Sequence, residues 1–322
     1  LKSMRRAALV MAAFGLAAAA AVPATAGAET PKPDTFREAG QAAAKVPTTA
    51  AQAAAAACGL SIGAVNWWTG TASGYDVTAT NPLTVSPLES YKLFGVRAST
   101  SWYYTEDADE SYFSGLILQN SNLYSVDVAY DGVAPEPKVS AVKVGTGWSG
   151  FGKIVLSNYV QGTKPHSYLY GLHSNGSLYR YTMTSAGIRN WGSAPGFGSV
   201  KNVTLIAETA TYDTLLVSTF GGSLYTVRVP LTAPMKPVVK KVRSTGWVKY
   251  QALIAQRCGA TSTLLAAIDY NARTVSLFAV SRATGESTII KGLGTAAVPA
   301  DSVESYVQFL LTGSGGPQLV GE

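Results

Sequence analysis

Beyond residue 58 the apolar and polar positions follow neither a helical period nor a clean alternation. In Ser223-Leu224-Tyr225-Thr226-Val227-Arg228-Val229 apolar side chains fall on both parities. A strand with one wet face alternates strictly, whereas a strand covered on both faces need not. β-branched and aromatic residues are dense here and turn formers recur every few positions, which predicts short strands. Residues 116–128, 169–181 and 215–229 read as hairpins, turning at Asn120-Ser121, Asn175-Gly176 and Gly221-Gly222. After each comes a glycine–aromatic pair: Gly147-Trp148, Gly196-Phe197 and Gly246-Trp247, spaced 49 and 50 residues apart. Each pair precedes a short apolar run: Ile154-Val155-Leu156, Leu205-Ile206-Ala207 and Leu253-Ile254-Ala255.

A supersecondary unit repeated at about 40–50 residues is the mark of a propeller blade. Five segments read as outer strands, at 91–96, 154–158, 204–207, 252–256 and 307–311. The matching inner hairpins begin near Phe113, Tyr168, Thr214 and Leu264, which leaves one strand missing at the N-terminal end. Residues 317–321 resemble the start of a repeat, Tyr168-Leu169-Tyr170-Gly171-Leu172, and are expected to complete the first blade. Closure of that kind leaves no free sheet edge between first and last blades. The expected fold is all-β, a five-bladed β-propeller over 58–322 with a disordered N-terminal tail.

Ahead of it, Lys2, Arg5 and Arg6 precede an apolar run at 7–22, then Pro23 and small-x-small sites ending at Ala26 and Ala28. Residues 1–28 read as a secretory signal peptide, so the protein is expected to be secreted, with no membrane association. Residues 29–57 are rich in Ala and Pro, with Phe36 and Val46 the only large apolar side chains, too few to order the segment. It serves as a spacer or as a segment that orders on a partner.

With the three basic residues of the signal removed, 22 Lys and Arg face 19 Asp and Glu, a net charge of +3. That balance gives no basis for nucleic-acid binding. The two cysteines, Cys58 and Cys258, allow one pairing in an oxidising compartment, the alternative being two buried thiols. A bridge across 200 residues is worth about 5 kcal/mol in the chain-entropy treatment.

No catalytic constellation is recognised, and the protein is expected not to be an enzyme. His166 and His173 are the only histidines and read as ordinary strand or turn residues. No nucleophile elbow, zinc-binding helix motif or phosphate loop is present. Asp107-Ala108-Asp109-Glu110-Ser111 opens like a calcium loop, but Tyr112 stands where the sharp turn needs Gly and Leu118 where the bidentate Glu belongs. Neither a metal nor another cofactor is expected.

Binding residues are sought instead in the connectors. The long connector 98–112 carries Trp102, Tyr103 and Tyr104 beside Glu106, Asp107, Asp109 and Glu110. Exposed aromatics next to charge are the makings of a hot spot, and loops this long are commonly functional. Residues 130–138, with Asp131 and Pro135, and residues 230–237, with Pro234 and Met235, link equivalent strands of two blades. All three segments are expected on one face of the disc, forming a partner surface. The basic residues Lys236, Lys240, Lys241, Arg243, Lys249 and Arg257 read as solubilising charge on strand edges.

The third repeat is distinctive: Tyr168-Leu169-Tyr170-Gly171-Leu172-His173-Ser174-Asn175-Gly176-Ser177-Leu178-Tyr179-Arg180-Tyr181, then Asn190-Trp191-Gly192 and Gly196-Phe197. It resembles the tachylectin-type lectins, five-bladed propellers that bind N-acetylated amino sugars. The layout of signal, tail and disc is similar to the adaptor component of bacterial umbrella toxin particles. That resemblance implies an adaptor joining secreted proteins of a larger assembly, with the tail and the disc as two contacts. The alternative function is a secreted lectin for cell-wall or surface glycans.

Overall fold

In the computed structural model the described residues are 58–106, 110–184, 187–302, 306–313 and 318–321. The expected signal and tail, 1–57, lie outside them. The chain runs β1 (Gly59–Asn66), β2 (Thr71–Thr78), β3 (Thr84–Lys92), β4 (Ala98–Ser99), β5 (Trp102–Glu106), β6 (Ser111–Gln119), β7 (Asn122–Tyr130) and β8 (Lys138–Thr146). Then come β9 (Phe151–Tyr159), β10 (His166–His173), β11 (Ser177–Thr184), β12 (Gly187–Pro195), β13 (Val200–Glu208), β14 (Tyr212–Thr219), β15 (Leu224–Pro230) and β16 (Val238–Arg243). Last are β17 (Ala252–Cys258), β18 (Ser262–Asp269), β19 (Thr274–Ser281), β20 (Ile289–Ala297) and β21 (Tyr306–Gly313).

Three sheets are simple four-strand blades, β9–β12, β13–β16 and β17–β20. They are the third, fourth and fifth blades. The first blade is β21-β1-β2-β3, with β21 antiparallel to β1 from Ser61↔Leu311 to Asn66↔Tyr306. The second takes β4 and β5 as its inner edge, then β6, β7 and β8. Five buried apolar clusters fill the five seams between neighbouring blades, including the seam that joins first to fifth. The fold is thus a closed five-bladed β-propeller, as the repeats predict.

Burial explains the irregular patterning. β14 and β18 are buried at nearly every position, because each of their faces packs on a neighbouring blade. β3, β8 and β20 are mostly exposed and carry the polar residues. The sheet order corrects the assignment of inner and outer strands. β9, β13, β17 and β21 contain the segments read as outer strands, yet they line the axis. Residues 91–96 are the end of β3 and the connector after it, and the axial strand of the second blade is β4–β5. The ring closes through β21, not through 317–321. Segment 318–321 crosses to the fourth and fifth blades instead, with Glu208 N donating to Leu319 O (3.1 Å), Gly321 N to Ile206 O (2.9 Å) and Ala283 N to Gly321 O (3.2 Å).

The glycine–aromatic pairs have one repeated job. Gly147, Gly196 and Gly246 adopt φ of +80°, +97° and +96°, a region that penalises any side chain. That conformation turns the next amide back onto the hairpin of the same blade: Trp148 N donates to Ser121 O, Phe197 N to Gly176 O and Trp247 N to Gly222 O, at 2.8–3.1 Å. The aromatic ring then drops into the seam.

Cys58 and Cys258 form the disulfide, Cα–Cα 5.7 Å. It ties the start of β1 to the end of β17, across the seam where the ring closes. No helix among the described residues is long and apolar enough to cross a membrane.

Candidate ligand sites

Strand direction alternates within a blade, so turns after the second and fourth strands emerge at one rim, here the hairpin rim. Those after the first and third emerge at the other, the loop rim. Two cavities stand out, one in a seam between blades and one on the axis at the hairpin rim. The first, about 210 Å³, lies in the seam between the second and third blades. Trp148, Phe151, Tyr181, Ile188 and Val144 wall it, and the backbone of Gly145, Thr146 and Gly147 borders it. Trp148 stands 4.7 Å from Phe151 and 4.8 Å from Tyr181, centroid to centroid. A Cβ on Gly145 would collide with Trp148 Nε1, so glycine there leaves the indole its place. Burial pushes the Tyr181 phenol up to about 12, so it stays a neutral hydrogen-bonding group at physiological pH.

The same trio recurs between the fourth and fifth blades, where Trp247 lies 5.5 Å from Tyr250 and 5.2 Å from Phe278. Between the third and fourth, the trio is Phe197, Val200 and Val227. The three repeats therefore build one kind of seam with different fillings.

The second cavity, about 170 Å³, is an axial pit ringed by the starts of the axial strands of all five blades. Lys153, Asn202, Gln251 and Gln308 line it. At the other end of the axis polar side chains pair with one another, although His166 Nδ1 is buried without a partner. Asn158 N donates to Glu208 Oε1 (2.5 Å), and the Gln318 amide donates to Glu208 Oε2. His166 Nε2 lies 3.3 Å from Asp213 Oδ1, and Tyr170 OH donates to Asp213 Oδ2 (2.7 Å). Burial, reinforced by the Asp213 charge, raises Glu208 above the ordinary carboxylate value. Segment 318–321 covers this end.

The residues predicted from the connectors are placed differently from one another. Trp102 is fully buried and stacks on Phe309 at 5.0 Å, so it is a core residue and not part of an exposed surface. The connector that carries it is no loop; it supplies β4 and β5. Tyr103 is half-buried, and burial together with the nearby Glu208 charge raises its phenol. Tyr104 is half-buried against Phe113, with its hydroxyl 3.1 Å from Ser111 Oγ. Glu106 is exposed, and Glu110 accepts from Tyr112 OH (2.5 Å). Asp107 and Asp109 lie outside the described residues. Asp131 and Pro135 are exposed, with Asp131 Oδ1 accepting from Val133 N and Ala134 N; those amides lower its carboxyl. Pro234 is exposed, whereas Met235 is buried in the third-to-fourth seam.

Topology brings the connectors after β7 and β15 to one rim, the loop rim, while 98–106 runs along the axis as β4 and β5. The axial cavity, however, lies at the other rim, and the seam cavity reaches from the end of β8 there to Ile188 near the start of β12. The hairpin rim also carries Trp67 and Trp68, which sequence reasoning passed over. They occupy the β1–β2 turn with rings 4.0 Å apart and are 44% and 72% exposed. Asn66 Oδ1 holds that turn by accepting from Trp68 N and Thr69 N, both at 2.9 Å.

No protein-family model and no curated protein matches the chain. Solved structures do. The catalytic domain of the GH62 α-L-arabinofuranosidase from Coprinopsis cinerea matches at 15% identity over 69% of this chain and 74% of that one, TM-score 0.40. The α-L-arabinofuranosidase PaAbf62A from Podospora anserina, solved with cellotriose, matches at 13% identity over 70% and 80%, TM-score 0.42. The SapL1 lectin, solved with α-methyl fucoside, matches at 9% identity over 77% and 84%, TM-score 0.41. Likeness at this level concerns architecture alone. It nevertheless corrects the expectation of a non-enzyme: two of these matches are enzymes, so a propeller without a recognised motif is no ground for excluding catalysis.

Proposed function

We propose that this protein binds glycans, taking a single sugar ring in the seam between the second and third blades. The observation that carries the reading is the seam cavity walled by Trp148, Phe151 and Tyr181. Aromatic walls offer flat apolar faces to the C–H surface of a sugar, and Tyr OH, Trp N–H and bordering backbone groups supply polar contacts. A volume of about 210 Å³ is below the ~300–1,000 Å³ of drug-sized sites, which suits one ring. Tyr181 belongs to the repeat that resembles the tachylectin-type lectins, and that resemblance supports an N-acetylated amino sugar. Secretion fits the disulfide. The adaptor reading has less behind it, since its tail lies outside the described residues.

The test is titration of N-acetylglucosamine and glucose by ligand-observed NMR, on the protein and on Thr146→Trp. Thr146 is exposed at the cavity edge, so the substitution fills the site without touching the core. Binding of the acetylated sugar, lost in the variant at unchanged melting temperature, supports the reading. Equal binding by the variant overturns it.

A further inference from the structure

The axial pit is a second site with a different chemistry. Among the described residues its lining contains two charged side chains, Arg97 and Lys153, both cationic, and no carboxylate. Arg97 uses its donors on main-chain carbonyls: Nε on Asn120 O, Nη1 on Phe151 O and Nη2 on Trp148 O, each at 2.9 Å. Those bonds hold the guanidinium in place, with no counter-ion among the described residues. Lys153 is half-buried in the pit wall. Desolvation and the neighbouring Lys201 both lower its ammonium below the ordinary lysine value, as befits a cation with nothing negative beside it. Asp269 acts on Lys201 rather than on Lys153, and its Oδ1 accepts from Asn271 N and Ala272 N of its own turn.

The amides of the pit are equally uneven. Asn202 is 2% exposed. Its Nδ2 donates to Ser218 Oγ and Tyr250 O, while its Oδ1 is buried with no partner. A buried acceptor left unmatched costs about 1–3 kcal/mol, and a ligand that donates to it recovers that cost. Gln251 uses Oε1 to accept from Tyr270 N (2.7 Å), so its remaining polar group at the pit is a donor, Nε2.

We propose that the axial pit binds a small hydroxylated carboxylate, such as a uronic acid. Its carboxylate meets the Lys153 ammonium in the field of Arg97, a hydroxyl donates to Asn202 Oδ1, and a ring or hydroxyl oxygen accepts from Gln251 Nε2. A cation and an unmatched acceptor in one pit select a ligand carrying both an anion and an O–H donor. A bare anion satisfies only Lys153, and a neutral sugar only Asn202 and Gln251. At about 170 Å³ the pit admits one ring.

The experiment is isothermal titration in low-salt buffer with D-glucuronate, D-glucose, acetate and a disaccharide ending in glucuronate. Free glucuronate or the disaccharide should bind at least ~10-fold more tightly than glucose and acetate. Tighter binding of the disaccharide identifies a glycan end as the source of the ligand, and tighter binding of the free acid a soluble metabolite. Lys153→Met should lose that preference and Lys153→Arg keep it. If Lys153→Met fails to fold, Gln251→Ala, which should weaken glucuronate several-fold, serves as the second variant. Glucuronate no tighter than glucose, no tighter than acetate, or unaffected by both variants overturns the proposal. Thr146→Trp should bind glucuronate as the parent does, so failure of the seam site and failure of this site read out separately.

Discussion

Trp102 seals the junction of the first and second blades. Its ring lies against Phe309 on one side and over Gly115, where any side chain would collide with the indole. Its Nε1 donates to Ser99 Oγ at 2.8 Å. Trp102→Ala should therefore cost about 3–5 kcal/mol in chemical denaturation, where a surface hot-spot residue would cost almost nothing. The sequence showed this tryptophan beside four acidic residues, and such company mimics a wet loop. What it could not show is that Trp102 lies inside the seam while Glu106, on the same face of β5, lies at the strand's exposed end.

Buried carboxylates set a second test at the same scale. Burial raises Asp76, Asp127 and Glu208 above their ordinary values. The folded state then holds protons that the unfolded chain has released. Stability should accordingly fall as pH rises above about 3.8 and through the raised folded values. Melting temperatures should be higher at pH 4 than at pH 8. Asp127→Asn keeps an acceptor for Ser114 Oγ, now 2.6 Å from Asp127 Oδ1, and should make that slope shallower. A variant slope as steep as the parent's would contradict the assignment.

Among the elements, the glycine–aromatic turn was legible as a repeat long before its purpose was. Spacing located it; φ near +80° to +97° and the hydrogen bond to the hairpin of the same blade explain it. Gly196→Ala should cost about 1–2 kcal/mol in thermal unfolding, because nothing crowds a Cβ there and only the backbone resists. The radial order of strands was not legible. Apolar runs such as Leu205-Ile206-Ala207 suit any covered strand, and nothing local distinguishes a strand lining the axis from one packed between blades. Segment 318–321 was misjudged for a related reason, since an extended tail pairs equally well with several edges. Truncation after residue 317 should remove three main-chain hydrogen bonds to the fourth and fifth blades, about 3 kcal/mol at ~1 kcal/mol each.

For the whole molecule, the closed ring and its fastening were readable from repeat count and cysteine pairing. The disulfide spans the seam between first and fifth blades, where β21 also completes the circle. Reduction, or the Cys58→Ser and Cys258→Ser pair, should lower stability by up to about 5 kcal/mol while the sheet spectrum survives at room temperature. Of the three irregular connectors, 98–112 supplies β4 and β5 instead of a loop, and the axial cavity lies at the rim opposite residues 131–137 and 231–237. Where a seam leaves a cavity depends on side-chain volume in three dimensions: a Trp, a Phe and a Tyr leave space at one seam, and Phe197 with two valines fills another.

Where a sugar sits on this disc decides between the two rims. Amide and indole chemical-shift mapping during titration with N-acetylglucosamine makes that measurement directly. The account predicts shifts that saturate at Thr146, Trp148 and Tyr181, with residues 131–137 and 231–237 silent. Saturating shifts confined to residues 131–137 and 231–237 would contradict it.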